Sequence, residues 1–147
     1  MKRLISVSLL ALMAGCASQQ KSDNAIYREA ATQFARTLPA HQKALELPAV
    51  KIPSHGMLAD KLAIAAGGGA NAAQLRQALA SAKAAGTGGF LIIGTNSELD
   101  LAVIEGATDS LDLGEMSIFY SGAADKKNEI RLAIERTRAT FHYISAN

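Results

Sequence analysis

The second half of the chain repeats one pattern three times: a short apolar run, a turn that contains glycine, and a helical stretch with a polar start. The apolar runs cover residues 62–66, 90–93 and 116–120, the helices that follow are predicted over 71–85, 97–111 and 125–138, and a last extended run covers 140–144. Parallel strands need covering helices as crossovers. The pattern therefore predicts a small, three-layer-like α/β domain with a mostly parallel sheet.

The number of strands depends on the first apolar run. The runs 90–93, 116–120 and 140–144 have the length and the composition of strands. The run 62–66 contains three alanines, which favour helix, and it can equally continue a helix that begins at Ser54. We favour the strand, so the prediction is a sheet of three or four strands.

The segment before residue 53 has a different pattern from the rest of the chain. Ile26, Ala30 and Phe34 recur at helical spacing, which predicts a helix that starts at Ser22 or Asp23 and is interrupted near Pro39. A second short helix is predicted over 40–47. We expect a helical N-terminal segment over 23–52 and an α/β domain over 53–147. The segment either separates the domain from the beginning of the chain or packs on the side of the domain.

Polar and glycine residues follow two of the predicted strands. Gly94, Thr95, Asn96 and Ser97 come after one strand, and Ser121 and Gly122 come after the next. Ligands of open parallel sheets bind outside the carboxyl ends of the strands, so these six residues are the candidate ligand-binding set. The alternative, which we favour, is that the polar side chains cap the next helix.

Other candidate chemistry is weak. The three glycines at 67–69 suit a phosphate loop but lack the spacing of dinucleotide-binding and P-loop motifs, so an ordinary turn is the better interpretation. His41, His55 and His142 show no metal-ligand spacing. Ser54 or Ser121 could be combined with a histidine and an aspartate, yet no G-x-S-x-G motif supports the choice. The sequence therefore predicts no catalytic residue, no metal and no cofactor.

The beginning of the chain carries the most specific signal. Lys2 and Arg3 precede the apolar run 4–14, which is too short for a membrane-spanning helix, and Ala14 and Gly15 lead to Cys16, the only cysteine. This arrangement resembles the signal peptide and processing site of bacterial lipoproteins.

The resemblance implies a signal peptide at 1–15 and a lipidated tether at 16–22. Cleavage before Cys16, attachment of diacylglycerol to its thiol and acylation of its amino group, as with palmitate, would tie the protein to the membrane. Ala17 stands where this family often has the aspartate of inner-membrane retention, so we expect the outer membrane, facing the periplasm. Lipidation would also leave no thiol for a disulfide.

Cleavage changes the charge as well. The chain has 15 Lys and Arg against 13 Asp and Glu, and Lys2 and Arg3 leave with the signal, so the mature protein has 13 of each. A neutral protein without a dense basic patch is a poor candidate for binding nucleic acid.

These observations lead to three functional hypotheses. The first is a non-enzymatic envelope lipoprotein that binds another protein, as an accessory part of an assembly. The second is a small-ligand binding module that uses the carboxyl ends of the strands. The third, an envelope hydrolase, is the weakest.

Overall fold

The computed structural model describes residues 19–42 and 46–147, so Cys16 and the signal segment lie outside the described residues. Within these ranges the chain forms five α-helices and four β-strands, with a 3₁₀ turn before the last helix. In order they are α1 (Asp23–Thr37), β1 (Ala49–Lys51), α2 (Met57–Ala65), α3 (Gly69–Ala84), β2 (Gly89–Ile93), α4 (Ser97–Thr108), β3 (Ser117–Gly122), α5 (Lys127–Glu135) and β4 (Thr140–Ser145). Two successive helices, α2 and α3, thus lie between β1 and β2.

The strands form one four-stranded sheet in the order β1-β2-β3-β4, and every neighbouring pair is parallel. Leu91 of β2 lies opposite Ala49 on one side and Phe119 on the other, and His142 of β4 continues the row beside Phe119. The predicted α/β class is therefore confirmed, with four strands that are all parallel.

The helices that connect the strands pack on one face of the sheet. Phe90, Ile92 and Tyr120 point to this face and join one buried cluster with side chains of α3, α4 and α5. Right-handed crossovers explain this one-sided arrangement, because strands in sequential order then send every connecting helix to the same face.

Helix α1 covers the opposite face. Its inward row of Ile26, Ala30 and Phe34 packs in a second cluster with Leu91 and Phe119 of the two central strands. The rings of Phe34 and Phe119 meet edge to face at 6.2 Å between centroids. The molecule thus has three layers, with α1 as the whole of the described helical layer on this face.

The N-terminal segment shares its core with the rest of the chain. Strand β1 lies inside the segment 23–52 and pairs with β2, while α1 packs on the sheet. A boundary near residue 52 therefore does not separate two parts of the molecule. The short helix predicted over 40–47 is also wrong where the structure describes it, since residues 40–42 form a turn and 46–48 have no regular structure.

The preference for a strand over 62–66 is wrong, and the alternative of a helix is correct. The run belongs to α2, whose inner side packs Ala63 and Ile64 against the main core. Alanine favours helix. The edge position of the sheet is instead filled by β1, whose three residues are too few to show a periodic pattern.

The glycines at 67–69 allow two helices to approach each other. Gly68 has a φ of +90°, and a Cβ at this position would stand 2.7 Å from the Cα of Val103 in α4. The carbonyl of Gly67 lies against Gly106 of the same helix. This loop is therefore a tight turn between α2 and α3, packed on α4.

Candidate functional site at the carboxyl edge of the sheet

A cleft of about 380 Å³ lies at the carboxyl edge of the sheet, on the side of α1. Four of the six predicted residues line it: Gly94, Thr95, Ser121 and Gly122. The first turn of α1, the end of β1 and the end of β4 supply the remaining walls. The topology thus brings together the ends of neighbouring strands, as expected for a parallel sheet.

Asn96 and Ser97 do not line this cleft, because both side chains are used at the start of α4. The Oδ1 of Asn96 accepts hydrogen bonds from the backbone N–H groups of Glu98 and Leu99, at 3.1 and 3.2 Å, so Asn96 is the N-cap. The Oγ of Ser97 donates to Asp125 at 2.8 Å. The capping interpretation therefore describes Asn96, whereas the hydroxyl of Ser97 bonds to another side chain and does not cap α4.

Thr95 is also occupied by internal contacts. Its Oγ1 donates to the carbonyl of Ile52 at 2.5 Å, which ties the end of β2 to the end of β1. Its backbone N–H donates to the carboxylate of Asp100 at 3.0 Å. Thr95 therefore fixes the shape of the cleft wall.

A buried carboxyl group lies beneath the strand ends. Asp100, in the first turn of α4, is fully buried, and its Oδ2 accepts a hydrogen bond of 2.8 Å from the hydroxyl of Tyr120. Burial raises the pKa of Asp100, against the opposing effect of its hydrogen bonds from Thr95, Tyr120 and Asn96. Burial and the nearby carboxylate also raise the pKa of Tyr120.

This pair explains two of the predicted glycines. A Cβ on Gly94 would overlap the carboxylate of Asp100, and a Cβ on Gly122 would overlap the hydroxyl of Tyr120. Asp100 is a site residue that the sequence pattern does not reveal. Its one signal in the sequence is a charged residue in the first turn of a helix whose next turn is apolar.

Ser121 and a surface ion pair complete the cleft. Ser121 is only 1% exposed, and its Oγ has no hydrogen-bond partner among the described residues. At the rim, Lys51 and Asp23 form an ion pair with Nζ and Oδ2 2.8 Å apart. The hydroxyl of Tyr143 donates to the carbonyl of Gly122 at 2.8 Å.

One histidine packs in the sheet and the other two lie at the surface. His142 stacks on Phe119 with ring centroids 4.5 Å apart, and partial burial lowers its pKa. His41 and His55 are exposed. The Oγ of Ser54 donates directly to Asp60, and His55 contributes its backbone N–H to the same carboxylate, which holds the start of α2.

The described residues contain no cluster of three or more side chains suited to a metal ion. None of the described helices has both the length and the apolar character needed to cross a membrane. No protein-family model, curated protein or solved structure matches the chain.

The Asp100–Tyr120 pair gives a pH-dependent prediction. In Asp100→Ala, the N–H of Thr95 and the hydroxyl of Tyr120 lose their partner, so we expect the free energy of unfolding to fall by about 1–3 kcal/mol. Asp100→Asn keeps an oxygen and a polar group at this place without the buried charge, and we expect a smaller loss or a gain at neutral pH.

The sign of the pH dependence follows from the raised pKa. Between the ordinary value and the raised value, the folded protein binds more protons at Asp100 than the unfolded chain, so stability falls as the pH rises through this window. In urea unfolding at several pH values, the free energy of unfolding of Asp100→Asn should therefore rise relative to that of wild type as the pH rises from about 4, the usual carboxyl range. Equal losses for Ala and Asn, with a pH-independent difference from wild type, would contradict this assignment.

Proposed function

We propose that the protein is a lipid-anchored, non-enzymatic binding protein of the bacterial envelope, and that it holds a small polar ligand in the cleft at the carboxyl edge of the sheet. The proposed place is the outer membrane, facing the periplasm. The signal and processing pattern that ends at Cys16 supports the anchor and the place, and the cleft supports the binding role.

The observation that carries the binding role is the unsatisfied hydroxyl of Ser121 in the wall of the cleft. A buried polar group without a partner costs free energy, and such groups in folded proteins usually have a protein, water or ligand partner. A ligand group that reaches Ser121 would recover this energy. A volume of about 380 Å³ is in the range of small-molecule sites.

The rim favours ligands without net charge. Lys51 and Asp23 neutralise each other, and each side chain is about half exposed. An anion would have to compete with Asp23 for the ammonium group, and a cation with Lys51 for the carboxylate. A neutral or zwitterionic polar molecule can bond to both groups without leaving either charge unpaired.

We also propose that the protein is not an enzyme. In the described residues, the contacts of Ser54 and Asp60 form a helix start, and His142 stacks on a sheet side chain. Apart from Ser121, polar side chains next to the cleft, such as those of Thr95 and Tyr143, are held in internal hydrogen bonds. This arrangement favours recognition over proton transfer.

A ligand screen tests the binding role. We expect a neutral or zwitterionic polar metabolite to raise the melting temperature of the mature protein, since a ligand that binds only the folded state stabilises it by mass action. Ser121→Ala and Lys51→Met should abolish the shift. Neither change should unfold the protein, because the first removes an unpaired hydroxyl and the second lies at the surface.

Asn96→Ala is the matched control. It should lower the stability by about 1 kcal/mol through loss of the N-cap, yet keep the full ligand-induced shift. The binding role would be contradicted by a shift that survives Ser121→Ala and Lys51→Met, or by a broad polar library that gives no shift.

The anchor is tested at Cys16. In a bacterial host with the lipoprotein pathway, we expect the mature protein to begin at Cys16, to carry acyl chains by mass spectrometry and to fractionate with membranes. Cys16→Ser should abolish acylation and reduce stable membrane association to weak, reversible partitioning. Acylation-free protein in the wild-type membrane fraction would refute the anchor.

The preference for a protein partner stays a prediction. Among the described residues, the exposed apolar side of α2 is a region to which a partner protein could bind. This region suits a lipid bilayer better than a protein.

A further inference from the structure

Helix α2 exposes an apolar surface that the fold does not use. Met57, Leu58 and Leu62 are 77%, 75% and 65% exposed, and Leu132 is the only other exposed large apolar residue among those described. At 100° per residue, the three side chains of α2 lie on one side of the helix, with Lys61 between them. We call this group the α2 surface.

Helix α2 is fixed both at its start and along its inner side. Asp60 fixes the start of α2 through its bonds with Ser54 and the N–H of His55, while Ala63 and Ile64 pack on the core. The apolar side chains are therefore presented outward by a helix that is docked on its other side. Exposed apolar patches of this kind mark contacts with proteins or membranes.

The position of the tether points to the membrane as the occupant. The N–H of Lys21 donates to the carbonyl of Ala146 at 2.8 Å, so the chain is held to the domain from residue 21. Cys16 is five residues earlier, and a fully extended chain spans at most about 18 Å over this distance. A lipid on Cys16 would keep the domain within this reach of the bilayer.

The start of α1, to which the tether is joined, and the start of α2 lie at the same edge of the sheet. Asp23, the first residue of α1, is paired with Lys51, the last residue of β1. Met57 follows Lys51 by six residues, at most about 22 Å of extended chain. The carboxyl edge that lies nearest the anchor therefore also carries the start of α2.

We propose that the α2 surface docks on the phospholipid bilayer that holds the lipid of Cys16, with Met57, Leu58 and Leu62 at the level of the head groups. This inference rests on the lipid anchor of the proposed function. Lys61 adds an attraction to anionic head groups. Since the acyl chains already hold the protein, docking would orient it, so that the carboxyl edge and its cleft stay close to the membrane.

The single cysteine makes the test direct. Because lipidation consumes Cys16, a second cysteine introduced by Leu58→Cys is the only free thiol for a spin label. The labelled, lipidated protein is placed in vesicles of phosphatidylethanolamine and phosphatidylglycerol. We expect the label at 58 to be accessible to lipid-soluble oxygen and shielded from a water-soluble nickel reagent, and Leu62→Cys should repeat the result.

Leu132→Cys is the matched control, since Leu132 is also an exposed leucine on a helix, 53% accessible, but lies on α5. Its label should stay accessible to the aqueous reagent. A label at 58 that is as accessible to this reagent as the label at 132 overturns the proposal, as does protection at 58 that arises only when envelope proteins are added.

A second measurement uses residues 16–147 with Cys16→Ser, which carry neither the signal segment nor acyl chains. Their weak partitioning into the same vesicles should drop roughly tenfold in Leu58→Ser, because the burial of one leucine side chain is lost, and stay unchanged in Leu132→Ser. Equal partitioning of the two variants would count against docking. Failure of the anchor is distinguishable, because wild-type protein would then fail to float with vesicles, whereas failure of docking leaves flotation intact.

Discussion

Helix α1 covers the face of the sheet that the connecting helices leave open. Four parallel strands in sequential order send their connecting helices to one face, so the other face of the sheet would expose Leu91, Phe119 and Ile144 to water. Parallel sheets are stable only when both faces are covered. Among the described helices, α1 is the one that joins the apolar cluster on this second face.

The same helix also forms part of the cleft at the carboxyl edge. Its first turn supplies Asp23 and Ile26 to the cleft, and the ion pair of Asp23 with Lys51 joins its start to the end of β1. Because α1 begins at the carboxyl edge, Lys21, which precedes it, is also held there by its bond to Ala146. The cleft, the proposed anchor and the start of α2 thus share one edge of the sheet.

The sequence predicted the elements with strong periodicity and missed those defined by tertiary contacts. Strands β2, β3 and β4 are apolar runs of five or six residues, and α1 shows a clear apolar row. By contrast, β1 has three residues and gains its place by pairing with β2. The alanine-rich run of α2 fits a strand or a helix in isolation, and packing of Ile64 on the core fixes it as helix.

The candidate site followed the same division. The rule for parallel sheets brought Gly94, Thr95, Ser121 and Gly122 to one cleft, yet it could not reveal that the glycines make room for Asp100 and Tyr120. That pair joins residues twenty positions apart on a helix and a strand. Its existence depends on how α4 lies on β3, which no local pattern encodes.

The packing of α1 on the sheet predicts that α1 is a layer of one cooperative domain. The most direct measurement compares urea unfolding of residues 19–147 with that of residues 46–147, which lack α1. We expect one cooperative transition for the longer chain and none for the shorter chain, with partial recovery when a peptide of residues 19–42 is added. A shorter chain that unfolds cooperatively, with the amides of β2 and β3 protected from hydrogen exchange as in the longer chain, would contradict the claim.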